Sequence, residues 1–215
     1  MISKLHYISQ ELGGKSHEML IEEACEAGVK WVQLRIKNKS EREILLIAQN
    51  VRAICDRFNV TFILNDYVLI AKAVGADGVH LGKMDMKPKE ARALLGEDLI
   101  LGGTANTIDD VKALHLADIS YIGLGPFQYT TTKEKLSPVL GIEGYKKTTS
   151  YCELNNIKTP LIAIGGITQT DIQEIISTGI YGIAIGSLIN KSEHKENEVK
   201  LILSAIKNLS NEVIN

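Results

Sequence analysis

Short apolar runs and helix-spaced apolar faces alternate along the whole chain. The runs are Leu5 to Ile8, Trp31 to Arg35, Thr61 to Leu64, Gly78 to Leu81, Leu99 to Gly103, Ile119 to Gly125, Leu161 to Gly166 and Gly182 to Gly186. They are continuous rather than alternating, the pattern of strands covered on both faces in a parallel sheet. Between them, apolar residues recur at three- and four-residue spacing. Ser16 to Gly28 carries Met19, Leu20, Ala24 and Ala27 on one face and ends at a glycine. Ser40 and Glu43 form a capping-box pattern, followed by Ile44, Leu45, Ala48, Val51, Cys55 and Phe58 on one helix face. Tyr67 to Val74, Pro88 to Leu95, Thr107 to Leu116, Ile142 to Leu154, Thr170 to Thr178 and Glu198 to Leu209 read as further helices.

Right-handed crossovers leave two architectures for such a chain, an open doubly wound sheet or a closed (β/α)8 TIM barrel. The count of strands favours the barrel. No linker or composition break divides the 215 residues, so one domain over 1–215 is expected.

Charge and cysteine content narrow the partners. The net charge of −2 gives no basic excess for nucleic acid or an anionic membrane. No stretch approaches the ~20 apolar residues of a membrane span. The N-terminus enters its first strand without the apolar run of a signal peptide. Cys25, Cys55 and Cys152 are far apart and form no CxxC pair, which predicts reduced, buried thiols and a cytoplasmic protein. A homo-oligomer is compatible with the sequence.

Parallel barrels do their chemistry where the strands end. Gln33, Arg35 and Lys37 close the second strand at alternate positions, on one side of it. Asn65 and Asp66 close the third, Asp85 follows the fourth, and Thr104 follows the fifth. After the sixth, Pro126 stops the ladder and a polar segment begins, with Thr130, Thr131, Thr132 and Lys133. Gly165-Gly166 and Gly186-Ser187 close the last two.

These residues sort by chemistry. Arg35, Lys37 and Lys133, with Gln33 and Asn65 as neutral donors, would clamp an anion of more than one phosphate. Asp66 and Asp85 beside such a clamp suit Mg2+ bridging to a pyrophosphate. The competing reading makes each acid a cap for the helix that follows it. The two glycine loops present bare N–H groups at the usual phosphate position of barrels, although glycine also serves tight turning. His80 reads as a satisfied core imidazole. No Ser-His-Asp order, HExxH or Walker loop is present.

Taken together, QLRIK (Gln33 to Lys37), ND (Asn65-Asp66), GVHLGKMD (Gly78 to Asp85), GPFQYTTTK (Gly125 to Lys133), AIGGI (Ala163 to Ile167) and GS (Gly186-Ser187) resemble the thiamine phosphate synthase family. The resemblance implies a Mg2+-assisted, dissociative transfer. A hydroxymethylpyrimidine group would pass from its pyrophosphate to the nitrogen of thiazole phosphate. Carried over, Gln33, Arg35, Lys37, Asn65, Thr104 and Lys133 would hold the pyrimidine pyrophosphate, and Asp66 and Asp85 the metal. Thr130, Thr131, Thr132, Gly166, Gly186 and Ser187 would hold the thiazole phosphate. Arg35 and Lys133 would be the catalytic cations. The chain departs from the family pattern at Thr104, Asn106 and Tyr129, where Ser, His and Pro are usual. A tautomerase relative, a non-catalytic phosphate binder and a sugar-phosphate isomerase remain as rival readings.

Overall fold

Eight parallel strands pair in chain order and the last closes on the first. The structure, a computed structural model, describes residues 1–129 and 138–212. In chain order the elements are β1 (Leu5–Ile8), α1 (His17–Glu26), β2 (Trp31–Leu34), α2 (Glu41–Phe58), β3 (Thr61–Asn65), α3 (Val68–Val74), β4 (Gly78–Leu81), α4 (Pro88–Leu95), β5 (Ile100–Ala105), α5 (Ile108–Leu116), β6 (Tyr121–Leu124), α6 (Gly141–Leu154), β7 (Leu161–Ile164), α7 (Ile172–Ser177), β8 (Gly182–Ile185), α8 (Ser187–Lys191) and α9 (Lys195–Glu212). The expected TIM barrel is therefore observed, and it has one element the periodicity did not show. Helix α8 is a single short helix directly after β8.

Local chemistry explains the helix boundaries. Ser40 Oγ accepts from the Glu43 amide and Glu43 reaches back to the Ser40 amide, so the expected capping box forms. Thr107 and Asp110 do the same for α5. Helix α2 turns Ile44, Ala48, Val51 and Cys55 inward, and all four are buried. All three cysteines are buried and free. No helix among the described residues is long and apolar enough to cross a membrane.

The outward faces of the strands join the helices in one large core, while the lumen holds a second. The lumen floor is aromatic: His6 stacks on Trp31 at 4.3 Å, and Tyr121 meets both edge-on. Gly102 makes room for this, because a Cβ there would overlap the Tyr121 ring. Removing a ring this buried costs about 3–5 kcal/mol. Burial lowers the His6 pKa to about 3, so its ring is neutral. One layer up, Gln33 Nε2 donates to Asn65 Oδ1 at 2.7 Å. His80 is bonded through Nδ1 to Tyr121 Oη at 3.1 Å and through Nε2 to Thr104 Oγ1 at 3.0 Å. The imidazole is thus a satisfied core group, as its position suggested. The lumen passes from aromatic floor to polar rim along single strands, as in Trp31, Gln33 and Arg35.

Candidate active site

The C-terminal mouth of the barrel opens into a cavity of about 140 Å³. Ile8 at the end of β1, Ser9 and Gln10 just past it, Arg35 after β2, Pro126 after β6, Gly165 and Gly166 after β7, and Gly186 and Ser187 after β8 line it. Ser9 and Gln10 were not singled out from sequence. The rule applied to the other strand ends would have found them, since they directly follow the LHYI run.

Arg35 is half-buried in this mouth. Burial pushes its pKa down, and attraction to Asp66 pushes it back up. Among the described residues it makes no ion pair, whereas Arg52, Arg57 and Arg92 are all paired with carboxylates. A desolvated guanidinium without a salt-bridge partner is costly unless an anion arrives to satisfy it. Lys37 is exposed two residues further along the same chain segment.

Asp66 is held by an unusual backbone. Its φ is 73°, in the left-handed region, and the Tyr67 amide donates to the Asn65 carbonyl at 3.0 Å across it. That is a tight γ-turn, a strained arrangement for a non-glycine residue. The Asp66 amide donates to the His80 carbonyl at 2.9 Å, which pins the turn to β4. Asp85 lies opposite, and its Oδ2 accepts from the Gly82 amide at 2.6 Å. The helix-cap reading fails for both acids. Tyr67 and Lys87 occupy the N-cap positions of α3 and α4, and neither helix has a side-chain cap.

The two carboxyl groups meet over Gly82. A Cβ on that glycine would sit 2.6 Å from Asp85 Oδ2 and 3.8 Å from Asp66 Oδ1. Burial first, and then the hydrogen bond and charge of Asp85, push the Asp66 pKa up to about 7. Carboxyls this close cannot both ionise cheaply without a cation. No larger group of three acidic, His or Cys ligands occurs among the described residues. Two carboxylates suit a hard ion that completes its shell with waters and phosphate oxygens, as Mg2+ does.

The opposite side of the mouth is built from backbone. Gly165 and Gly166 have φ of 103° and 70°. The Phe127 and Gln128 amides donate to the Ile164 and Gly165 carbonyls at 2.9 Å each. A Cβ on Gly166 would lie 3.0 Å from Gln128 Cβ and 3.0 Å from the Tyr129 carbonyl oxygen. The returning chain is tied as well, since the Leu140 amide donates to the Pro126 carbonyl at 2.9 Å. The described residues on either side of positions 130–137 are therefore tied together at the cavity rim. Thr130, Thr131, Thr132 and Lys133 lie outside the described residues. Thr104 sits at the rim end of β5 on His80. Asn106 is buried, with its side-chain amide donating to the Gly125 carbonyl.

A closed parallel barrel with a half-buried arginine, a carboxylate pair and two glycine turns at one mouth has the build of a small-molecule barrel enzyme. Residues 6–189 match the family model described as thiamine monophosphate synthase. The thiamine-phosphate synthase of Flavobacterium psychrophilum is 46% identical over 194 residues, covering 90% of this chain and 94% of that protein. That of Flavobacterium johnsoniae is 43% identical, covering 91% and 92%. The solved thiamine phosphate pyrophosphorylase from Pyrococcus furiosus superposes with a TM-score of 0.82 at 29% identity, covering 95% of this chain and 96% of that one. The chain belongs to the thiamine monophosphate synthase family, and it is a transferase.

Proposed function

We propose that the chain joins 4-amino-2-methyl-5-hydroxymethylpyrimidine pyrophosphate to thiazole phosphate and releases pyrophosphate. The observation that carries this reading is Arg35, half-buried and with no ion pair among the described residues, close to Asp66, whose carboxyl meets that of Asp85 over Gly82. Such a mouth takes a polyphosphate together with a divalent cation.

The C–O bond to pyrophosphate breaks first, and its electron pair leaves on the pyrophosphate oxygen. The aminopyrimidine stabilises the methylene cation, and the thiazole nitrogen then supplies the pair for the new C–N bond. No strong protein nucleophile is required. The protein must neutralise the leaving group, hold the two reacting atoms about 3–3.5 Å apart, and keep water away. Arg35, Lys37 and Lys133 supply positive charge to the pyrophosphate. Gln33, Asn65 and Thr104 supply the donors and acceptors that face the pyrimidine, and the Gln33–Asn65 bond fixes their orientation. Asp66 and Asp85 would hold Mg2+, which when bound adds positive charge beside the departing oxygens. Gly166, Gly186 and Ser187, with Thr130, Thr131 and Thr132, take the thiazole phosphate on main-chain N–H and hydroxyl groups.

Two features support the division. The charged residues descend from β2 to β4, and the glycine turns from β7 and β8, so two anions need not compete for one place. The chain leaves β6 and returns to α6 between them, with the Leu140 amide tied to the Pro126 carbonyl. Mixing the purified chain with both substrates and Mg2+ tests the reading. Pyrophosphate release only when both are present is expected. Release from the pyrimidine substrate alone would make the chain a pyrophosphatase instead.

A further inference from the structure

Strands β1 and β2 pair in parallel with Ile8 opposite Gln33, and the Ser9 amide donates to the Gln33 carbonyl at 2.9 Å. The next rung of such a ladder would run from the Arg35 amide to a main-chain carbonyl of the first strand. Here it runs to a side chain: the Arg35 amide donates to Ser9 Oγ at 3.1 Å. That hydroxyl also lies 2.8 Å from Nδ1 of His17, the first residue of α1. Ser9 is 2% exposed and His17 is 4% exposed. One buried serine thus joins the end of β1, the start of α1 and the main chain of Arg35. Ser9 and Arg35 both line the cavity.

A Ser–His pair beside a cavity also invites a nucleophilic reading. A hydroxyl has one hydrogen and two lone pairs, and the Arg35 amide occupies one of these pairs. His17 has no carboxylate bonded to its other nitrogen among the described residues, so the orienting third group of a triad is missing. What remains is a brace. It acts just past the end of β2, where a small rotation of the main chain would swing the guanidinium out of line.

We propose that Ser9 and His17 are positioning residues for Arg35, fixing its main chain so that its guanidinium faces the departing pyrophosphate. This rests on the function proposed above. The double-mutant cycle of Ser9→Ala with Arg35→Ala tests it, alongside Ser9→Thr and His17→Gln. Two readouts are taken: steady-state turnover, and calorimetric binding of inorganic pyrophosphate with Mg2+. Ser9→Ala is expected to lower kcat about tenfold while the KM for thiazole phosphate stays within about twofold. Ser9→Thr, which restores the hydroxyl, should recover most of this. In the Arg35→Ala background, Ser9→Ala should change kcat by less than about twofold, because the group it positions is gone. His17→Gln keeps a hydrogen-bonding group beside Ser9 and should give a smaller loss of the same kind.

The same tenfold loss with and without Arg35 would overturn the proposal, and so would a covalent adduct on Ser9 in an intact-mass spectrum. Should the native chain fail to release pyrophosphate from the two substrates, the proposed reaction falls. The pyrophosphate titration then decides positioning alone. Weaker binding in Ser9→Ala that vanishes in the Arg35→Ala background supports it, and equal weakening in both refutes it.

Discussion

The two halves of the barrel rim are built by different means. From β2 to β4 the work falls to side chains: a guanidinium, two carboxyls and two amides, several of them desolvated and one on a strained turn. From β6 to β8 it falls to the main chain, where glycines keep side chains out of the way. In the proposed reaction, the difference follows from what each half would do. A dianion that only needs holding is satisfied by fixed N–H groups, which cost no rotamer entropy. A leaving group gains negative charge as it departs, so cations held in place and a divalent ion set against it act most in the transition state.

That contrast breaks most readily on the charged side. Arg35→Ala should lower kcat by about 100-fold or more, the size seen when a preorganised donor is lost. Asp85→Ala should cost at least about tenfold in turnover and flatten the Mg2+ dependence, with the thermal midpoint little changed. A variant as active as the parent at limiting Mg2+ would remove Asp85 from the metal site. On the glycine side, Gly166→Ala forces a Cβ onto a left-handed backbone and against Gln128. It should raise the KM for thiazole phosphate about tenfold and leave kcat within about threefold. A fall in kcat alone would mean that the two halves are not separate in role.

Acidity sharpens the comparison further. Asp66 has its pKa pushed up to about 7 by burial and by Asp85, so a bound cation must displace a proton there. Mg2+ affinity should therefore rise with pH, by up to about tenfold per unit below 7, and level off above it. A flat profile in a calorimetric titration from pH 5.5 to 8 would contradict a protonated Asp66 below pH 7. The smallest effect belongs to the floor that both halves share. His6 has a folded pKa of about 3 against an ordinary value of 6.5, so the unfolded chain takes up its proton first as the pH falls. Its contribution to stability is complete above about pH 6.5 and is lost progressively towards pH 3. His6→Phe should flatten that acid limb in urea melts.

Much of this was legible in the sequence because it is local. Strand ends, the Ser40–Glu43 box and the Thr107 cap depend on residues within a few positions of each other. The observed boundaries differ from the expected ones by only a few residues, as where α9 starts at Lys195 rather than Glu198. What stayed hidden depends on distant partners. Helix α8 has no periodic signal of its own, because five residues are too few to show a face. The left-handed turn at Asp66 depends on β4 holding its amide, and without that contact the residue reads as a helix cap. Ser9 and His17 acquire meaning only through the β1–β2 register, which brings Arg35 to them across 26 residues of chain. Thr130, Thr131, Thr132 and Lys133 were legible as a polar segment. Their flanks meet at the cavity rim through the Leu140–Pro126 bond, a contact across 14 residues that no local pattern shows.

A crystal structure of the chain with Mg2+ and inorganic pyrophosphate tests the division of the rim most directly. Pyrophosphate against Arg35, with a metal ion between it and the Asp66 and Asp85 carboxylates, is the expected result. Pyrophosphate seated in the Gly165–Gly166 and Gly186 turns, with no metal at the two aspartates, would contradict it.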